Sequence, residues 1–272
     1  MAVLGAFLAA LGVTDAFRDA RPAGISPARR YAALAAGLLT LAALLGAGGV
    51  PAPAEIGLGI TLALLLAVWT LLDVIARAIG DVAARSAALV AISAGITVAL
   101  LFANDEPITW PDWLPGPLTH FPPSHVILVA GIALVQVTTA NVLVRLILDA
   151  VNVPTKEGSD RLRSGRVLGP MERLFILGLG LAGNLTAAAV VVGAKGLLRF
   201  PELAASESSS RTTSPIIIQS SAGADPGKTT QPRPTTEPHQ GPNPVTEYFL
   251  IGSFASWLLA LGGLGLARLV LG

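Results

Sequence analysis

The chain has no cysteine, three histidines and two tyrosines in 272 residues, and only 13% of it is charged. Without cysteine there is no disulfide, no thiolate-bound zinc or iron–sulfur cluster, no thiol nucleophile and no lipoprotein anchor. A soluble domain carries about 25% charged residues, so much of the usual surface charge is missing. That excludes an ordinary cytosolic enzyme and a disordered chain. A net charge of +1 leaves no electrostatic footprint for nucleic acid. What is present is apolar: 53% hydrophobic residues and 29 glycines, with a mean hydropathy of +0.68. Glycine is costly in soluble helices and common where helices pack closely in lipid. The composition predicts a polytopic membrane protein.

A spanning helix needs about 20 mainly apolar residues. Residues 31–50, 56–77, 83–103, 125–150, 172–194 and 246–269 meet this clearly. Residues 1–17 form a shorter seventh candidate with Asp15 near its end, read as a first helix rather than a cleaved signal because no basic residue precedes its apolar run. No stretch shows the alternation of a membrane β-barrel. The expected fold is an all-α transmembrane bundle of about seven helices, the first one short. Residues 1–200 hold six of them and residues 246–272 the last, which packs back on the bundle.

Lys and Arg in short loops set orientation. Arg18, Arg21, Arg29 and Arg30 follow the first helix, Arg77 and Arg85 flank one turn, and Lys156, Arg161, Arg163, Arg166 and Arg173 precede the sixth span. Residues 51–55 and 104–124 contain no Lys or Arg. The basic loops are expected to be cytoplasmic, with the N-terminus outside, in a bacterial cytoplasmic membrane; the preponderance of Arg, Ala and Gly suggests a GC-rich bacterial genome. Trp110 and Trp113 fit an interfacial belt. Alternating crossings then place residues 201–245 outside. Their Ser, Thr, Pro and Gly composition buries too little apolar surface to offset ordering entropy, so this connection is expected to be disordered.

Small residues at i, i+4 spacing mark close-packed helix faces. Three such stripes are Ala87/Ala91/Gly95/Ala99, Gly178/Ala182/Thr186 and Gly252/Ser256/Ala260. Ionisable residues inside spans are costly and tend to pair or lie near helix ends. Asp73 and Arg77 are four apart, as are Arg145 and Asp149, a spacing that permits intrahelical ion pairs. With Glu172 and Arg173 they form an expected paired layer at the cytoplasmic end. Deeper, the amides Gln136, Asn141 and Asn184 form an expected polar core, because an unsatisfied amide in hydrocarbon is unfavourable by several kcal/mol.

No GxSxG, HExxH, Walker or dinucleotide fingerprint occurs in a suitable context, and no cofactor or metal site is expected. His120 and His125 lie near Asp105, Glu106 and Asp112 without a defined ligand spacing. The densest polar grouping lies across the long connection. Residues 194–202 contain Lys195, Arg199 and Glu202, and the last span opens with Glu247, Tyr248 and Ser253. Lys195, Arg199, Glu247 and Tyr248 are candidate binding residues, and Glu247 or Glu202 a candidate catalytic base.

The run Gly165-Arg166-Val167-Leu168-Gly169-Pro170-Met171-Glu172-Arg173, then Ala194-Lys195 through Arg199-Phe200, then Glu247-Tyr248-Phe249-Leu250-Ile251-Gly252-Ser253, resembles the C-terminal half of a family of bacterial multi-pass membrane proteins known as a domain of unknown function. The resemblance covers roughly residues 141–260. It implies a helical membrane fold and no activity. The connection between Phe200 and Glu247 is far longer than the family's short link, and residues before 141 carry no match.

The leading expectation is an envelope-associated accessory or scaffold protein handling a lipid or small solute, with membrane lipids, a second copy or an envelope protein as partner and no nucleic acid. One alternative is a membrane-embedded enzyme acting on a lipid-linked phosphate, since Arg and Lys suit phosphate and a carboxylate can act as base. Another is a channel or carrier. If Lys195 and Glu247 share one ion network, a Lys195→Met/Glu247→Met double-mutant cycle in detergent melting should show coupling above about 0.5 kcal/mol; additive losses would separate the two residues.

Overall fold

The computed structural model describes residues 2–19, 27–46, 53–79, 82–103, 110, 120–150, 165–194 and 244–271. Among them there are only helices: α1 (Ala2–Asp19), α2 (Pro27–Gly46), α3 (Pro53–Ile79), α4 (Val82–Leu101), α5 (Pro123–Val137), α6 (Thr139–Ala150), α7 (Gly165–Leu181), α8 (Leu185–Ala194) and α9 (Pro244–Leu271). Of the expected disordered connection at 201–245, residues 201–243 lie outside the described residues and Pro244 and Val245 open α9. Four helices, α2, α3, α4 and α9, are each long and apolar enough to cross a membrane, and α5 with α6 form a fifth such unit bent by 42°. This is a membrane-embedded helical protein. The expected count of seven differs at two places, α1 and α7–α8.

Helix α1 is the centre of the bundle. Leu4, Ala6, Phe7, Leu8, Ala10 and Leu11 are all buried, so the helix is enclosed on every side, as expected for one that is apolar all round. Glycines let its backbone touch that of α5. A Cβ on Gly5 would lie 2.7 Å from the Leu128 nitrogen, and one on Gly131 would lie 2.6 Å from the Gly5 carbonyl oxygen. Gly12 in turn faces Leu134, so the two helices run parallel. Helix α2 returns along α1 with Gly37 against Ala10 and Thr14, and α4 brings Gly95 against the Phe7 ring.

Two of the three expected small-residue stripes pack. Ala91, Gly95 and Ala99 of α4 are buried, although Ala87 is exposed and Ala88 takes its place; Ser256 and Ala260 of α9 are buried with Gly252 half-buried. The third does not: Gly178, Ala182 and Thr186 are exposed. The chain turns there, which breaks the i, i+4 register.

That turn changes the last part of the fold. Residues 172–194, expected as one span, are two helices. Gly183 adopts φ +84°, the left-handed region open to glycine. The Asn184 N–H donates to Leu179 O at 2.9 Å and the Gly183 N–H to Gly180 O at 3.1 Å. These are the two bonds of a Schellman C-cap, which satisfies the carbonyls at a helix end. Helix α8 then runs back along α7: Ala188 packs with Ile176 and Ala260, and Val192 lies beside Glu172 and Trp257. Helix α9 runs parallel to α7. Arg173 meets Ser256, and seven residues further on Gly180 meets Leu264 and Arg268.

The Gly131 contact is against backbone, so it has no flexible neighbour to yield. Gly131→Ala is expected to destabilise by about 1–3 kcal/mol, as overpacking does, while Gly265→Ala, which meets nothing within 4 Å, leaves thermal melting in detergent unchanged or raised.

Candidate functional site

The α5–α6 unit breaks because its sequence competes with its own ladder. Val135, Val137, Thr138 and Thr139 are β-branched, and such side chains crowd the preceding turn. The Thr138 hydroxyl is shared between Leu134 O at 2.8 Å and Gly12 O on α1 at 2.9 Å. Hydroxyls that bond back to the previous turn bend helices, and a side chain inserted into the ladder kinks them.

The inserted side chain is Arg173 of α7. It is 2% exposed. Its Nε donates to the Gln136 carbonyl oxygen at 2.9 Å, Nη1 donates to Ser256 Oγ on α9 at 2.9 Å, and Nη2 donates to Asn141 Oδ1. Gln136 Nε2 in turn donates to Leu259 O on α9 at 2.8 Å. One guanidinium thus ties α5, α6, α7 and α9 together midway along the broken span. Its hydrogen-bond partners are all neutral. Ions out of water are normally paired, and the carboxylate of the preceding residue, Glu172, attracts the guanidinium coulombically without hydrogen-bonding to it. Gln136 Oε1 and Thr139 Oγ1, both buried, have no hydrogen-bond partner among the described residues.

A second buried cluster joins α1 to α3. Asp15 and Asp73 are 0% exposed and Arg18 is 3% exposed. Arg18 Nη1 pairs with Asp15 Oδ1 at 2.9 Å, and its Nη2 pairs with Asp73. The fully buried Trp69, one turn before Asp73, carries an indole N–H without a partner among the described residues. Arg18 therefore does for α1 and α3 what Arg173 does for the other half of the bundle.

The expected site residues sort as follows. Gln136 and Asn141 come together as anticipated, but Asn184 does not join them: it is exposed in the α7–α8 turn, at the start of α8. Arg173, expected in a layer at the helix ends, is instead the hub of the polar core. The spacing of Asp73 suggested Arg77 as its partner; the structure gives it Arg18 on another helix, while the Arg77 side chain lies outside the described residues. Arg145 and Asp149 sit on α6, where the Asp149 main-chain carbonyl accepts from Arg85 Nη1 of α4 at 2.7 Å. Glu172 lines a small cleft of about 50 Å³ with Ile176, Val191, Val192 and Trp257. Lys195, Arg199 and Glu202 lie outside the described residues, as do the side chains of Glu247 and Tyr248 on α9.

The missed partnerships had a signal. Arg173 sits one residue after Glu172 in an otherwise apolar run, and Asp15 and Arg18 are three apart at the end of a helix. No group of three or more His, Cys, Asp or Glu that could hold a metal occurs among the described residues. No family model, curated protein or solved structure matches the chain.

Breaking a buried ion pair costs about 3–5 kcal/mol. Asp73→Ala is expected to lower the detergent melting temperature by a corresponding amount, and Arg18→Met combined with Asp73→Leu to lose less than the sum of the two single changes.

Proposed function

We propose that this chain is an accessory or scaffold protein of a bacterial cytoplasmic membrane, whose helices hold a fixed frame and whose polar connections meet a partner. The observation that carries this reading is that the buried Arg173 guanidinium is fully taken up by neighbouring helices. The three guanidinium nitrogens of Arg173 are each bonded, to Gln136 O, Ser256 and Asn141. A side chain so held serves as a fastener, because moving it would release a main-chain carbonyl and an amide into a low-dielectric interior at about 1–3 kcal/mol each. Membrane lipids, a second copy or an envelope protein are the partners of this reading.

A carrier is the second reading, favoured by one observation: the broken α5–α6 span, since interrupted helices form solute sites in transporters. The enzyme reading needs Lys195, Arg199 and Glu247 together. It draws support from the antiparallel course of α8 and α9, which puts Ala194 and Pro244 at one end of the bundle.

Native mass spectrometry of the full chain extracted in mild detergent tests these readings. The scaffold reading expects bound lipid or a second copy that Asn141→Ala leaves in place. A small solute that raises the melting temperature of the parent protein but not of Asn141→Ala would overturn it in favour of the carrier.

A further inference from the structure

We infer that α7 and α8 form a re-entrant hairpin, entering and leaving at the same membrane face, so that the connections 151–164 and 195–243 lie on one side. This goes beyond the functional reading above and does not depend on it.

The direction of each helix follows from its contacts. Arg18 of α1 meets Asp73 of α3, Arg29 donates to Phe17 O, and Arg85 of α4 meets Asp149 of α6. These groups mark one end of the bundle, at which α1, α3 and α6 finish and α4 begins. Helix α7 starts from that end, because it runs parallel to α9, with Arg173 at Ser256 and Gly180 at Leu264. Helix α9 also starts there. Its Gly252 lies against Leu148 near the end of α6, and its Gly263 lies against Gln136 and Ile132 of α5. A helix that crosses once and a partner that crosses next would be antiparallel; α7 and α9 are parallel. The reversal is supplied by α8, which brings the chain back from Asn184 to the level of Glu172 and Trp257.

The dimensions agree. Helix α7 has 17 residues and α8 has 10, about 25 Å and 15 Å at 1.5 Å per residue, each short of the roughly 30 Å hydrocarbon core. The Schellman bonds at Gly183 and Asn184 satisfy the Leu179 and Gly180 carbonyls where α7 ends, in keeping with the demand a bilayer puts on main-chain groups.

Charge gives an independent argument. With a single crossing at 172–194, Lys195, Arg199, Arg211, Lys228 and Arg233 would face the side opposite the other basic connections. With a hairpin they join them, and of the chain's 18 Lys and Arg only Arg173 and Arg268 fall elsewhere. The opposite face keeps Glu55, Asp105, Glu106 and Asp112. Lys and Arg collect on one face of a membrane protein and Asp and Glu count for little in that choice. The discordant charge of the long connection disappears.

The native chain lacks cysteine, so single cysteines report cleanly. Ser164→Cys, Ser209→Cys, Asp112→Cys and a cysteine appended after Gly272 are treated with an impermeant maleimide on intact cells and again after permeabilisation. Each variant is checked for a monodisperse elution profile in detergent. The expected result is that Ser164→Cys and Ser209→Cys label under the same condition, while Asp112→Cys and the C-terminal cysteine label together under the other. Labelling of Ser164→Cys and Ser209→Cys from opposite sides, or of the C-terminal cysteine from the same side as Ser164→Cys, would overturn the hairpin.

Discussion

A main-chain carbonyl released from a helix inside a bilayer has no water to turn to, and the Gln136 carbonyl of this protein finds its donor in Arg173. The rest of the fold arranges itself around that bond. The break at Thr138 would be unfavourable without a donor, and the buried guanidinium would be unfavourable without acceptors; each offsets the desolvation of the other. Because the acceptors come from α5, α6 and α9, satisfying the arginine also fixes the relative positions of three helices. The guanidinium suits the task better than an ammonium, since its planar fork presents donors in several fixed directions and it carries a weaker hydration shell.

The other half of the bundle uses different means for the same end. Helices α1 and α5 approach through Gly5, Gly12 and Gly131, where dispersion between touching backbones replaces the hydrophobic force that lipid removes. At the far end of α1 the Asp15–Arg18–Asp73 cluster adds direction to that packing: small residues allow helices to slide, whereas an ion pair across helices holds them in register. The Thr138 hydroxyl, shared between α5 and the Gly12 carbonyl, links the two halves.

Much of this was legible in the residues. Hydropathy located α2, α3, α4 and α9 to within a few positions, and two of the residues read as a polar core, Gln136 and Asn141, both meet Arg173, the first through its main-chain carbonyl. What escaped was of two kinds. Gly183-Asn184 is a helix-ending signal, yet the apolar residues on either side, Leu179, Leu181, Leu185 and Val190, read as one uninterrupted span because hydropathy is blind to direction. The partners of Asp73 and Arg173 were invisible for another reason. Spacing along a helix reveals only neighbours on that helix, and both residues bond to others far away in the chain. Helix α1 illustrates the converse: hydropathy read it as a short first helix, and only its packing shows residues 4–12 enclosed at the centre of the bundle.

The parallel course of α7 and α9 also has a consequence in time. The hairpin of α7 and α8 packs its buried face, Ile176, Gly180 and Ala188, on Ala260 and Leu264 of α9. During synthesis those partners emerge only after the intervening segment 195–243 has been made, a wait of a few seconds at about 5–20 residues per second. Through that interval Arg173 has neither Ser256 nor the α9 face that encloses it. Helix α9 is therefore the closing wedge for the helices made before it, so a ribosome stalled within the long connection would leave a frame whose central arginine is still unfastened.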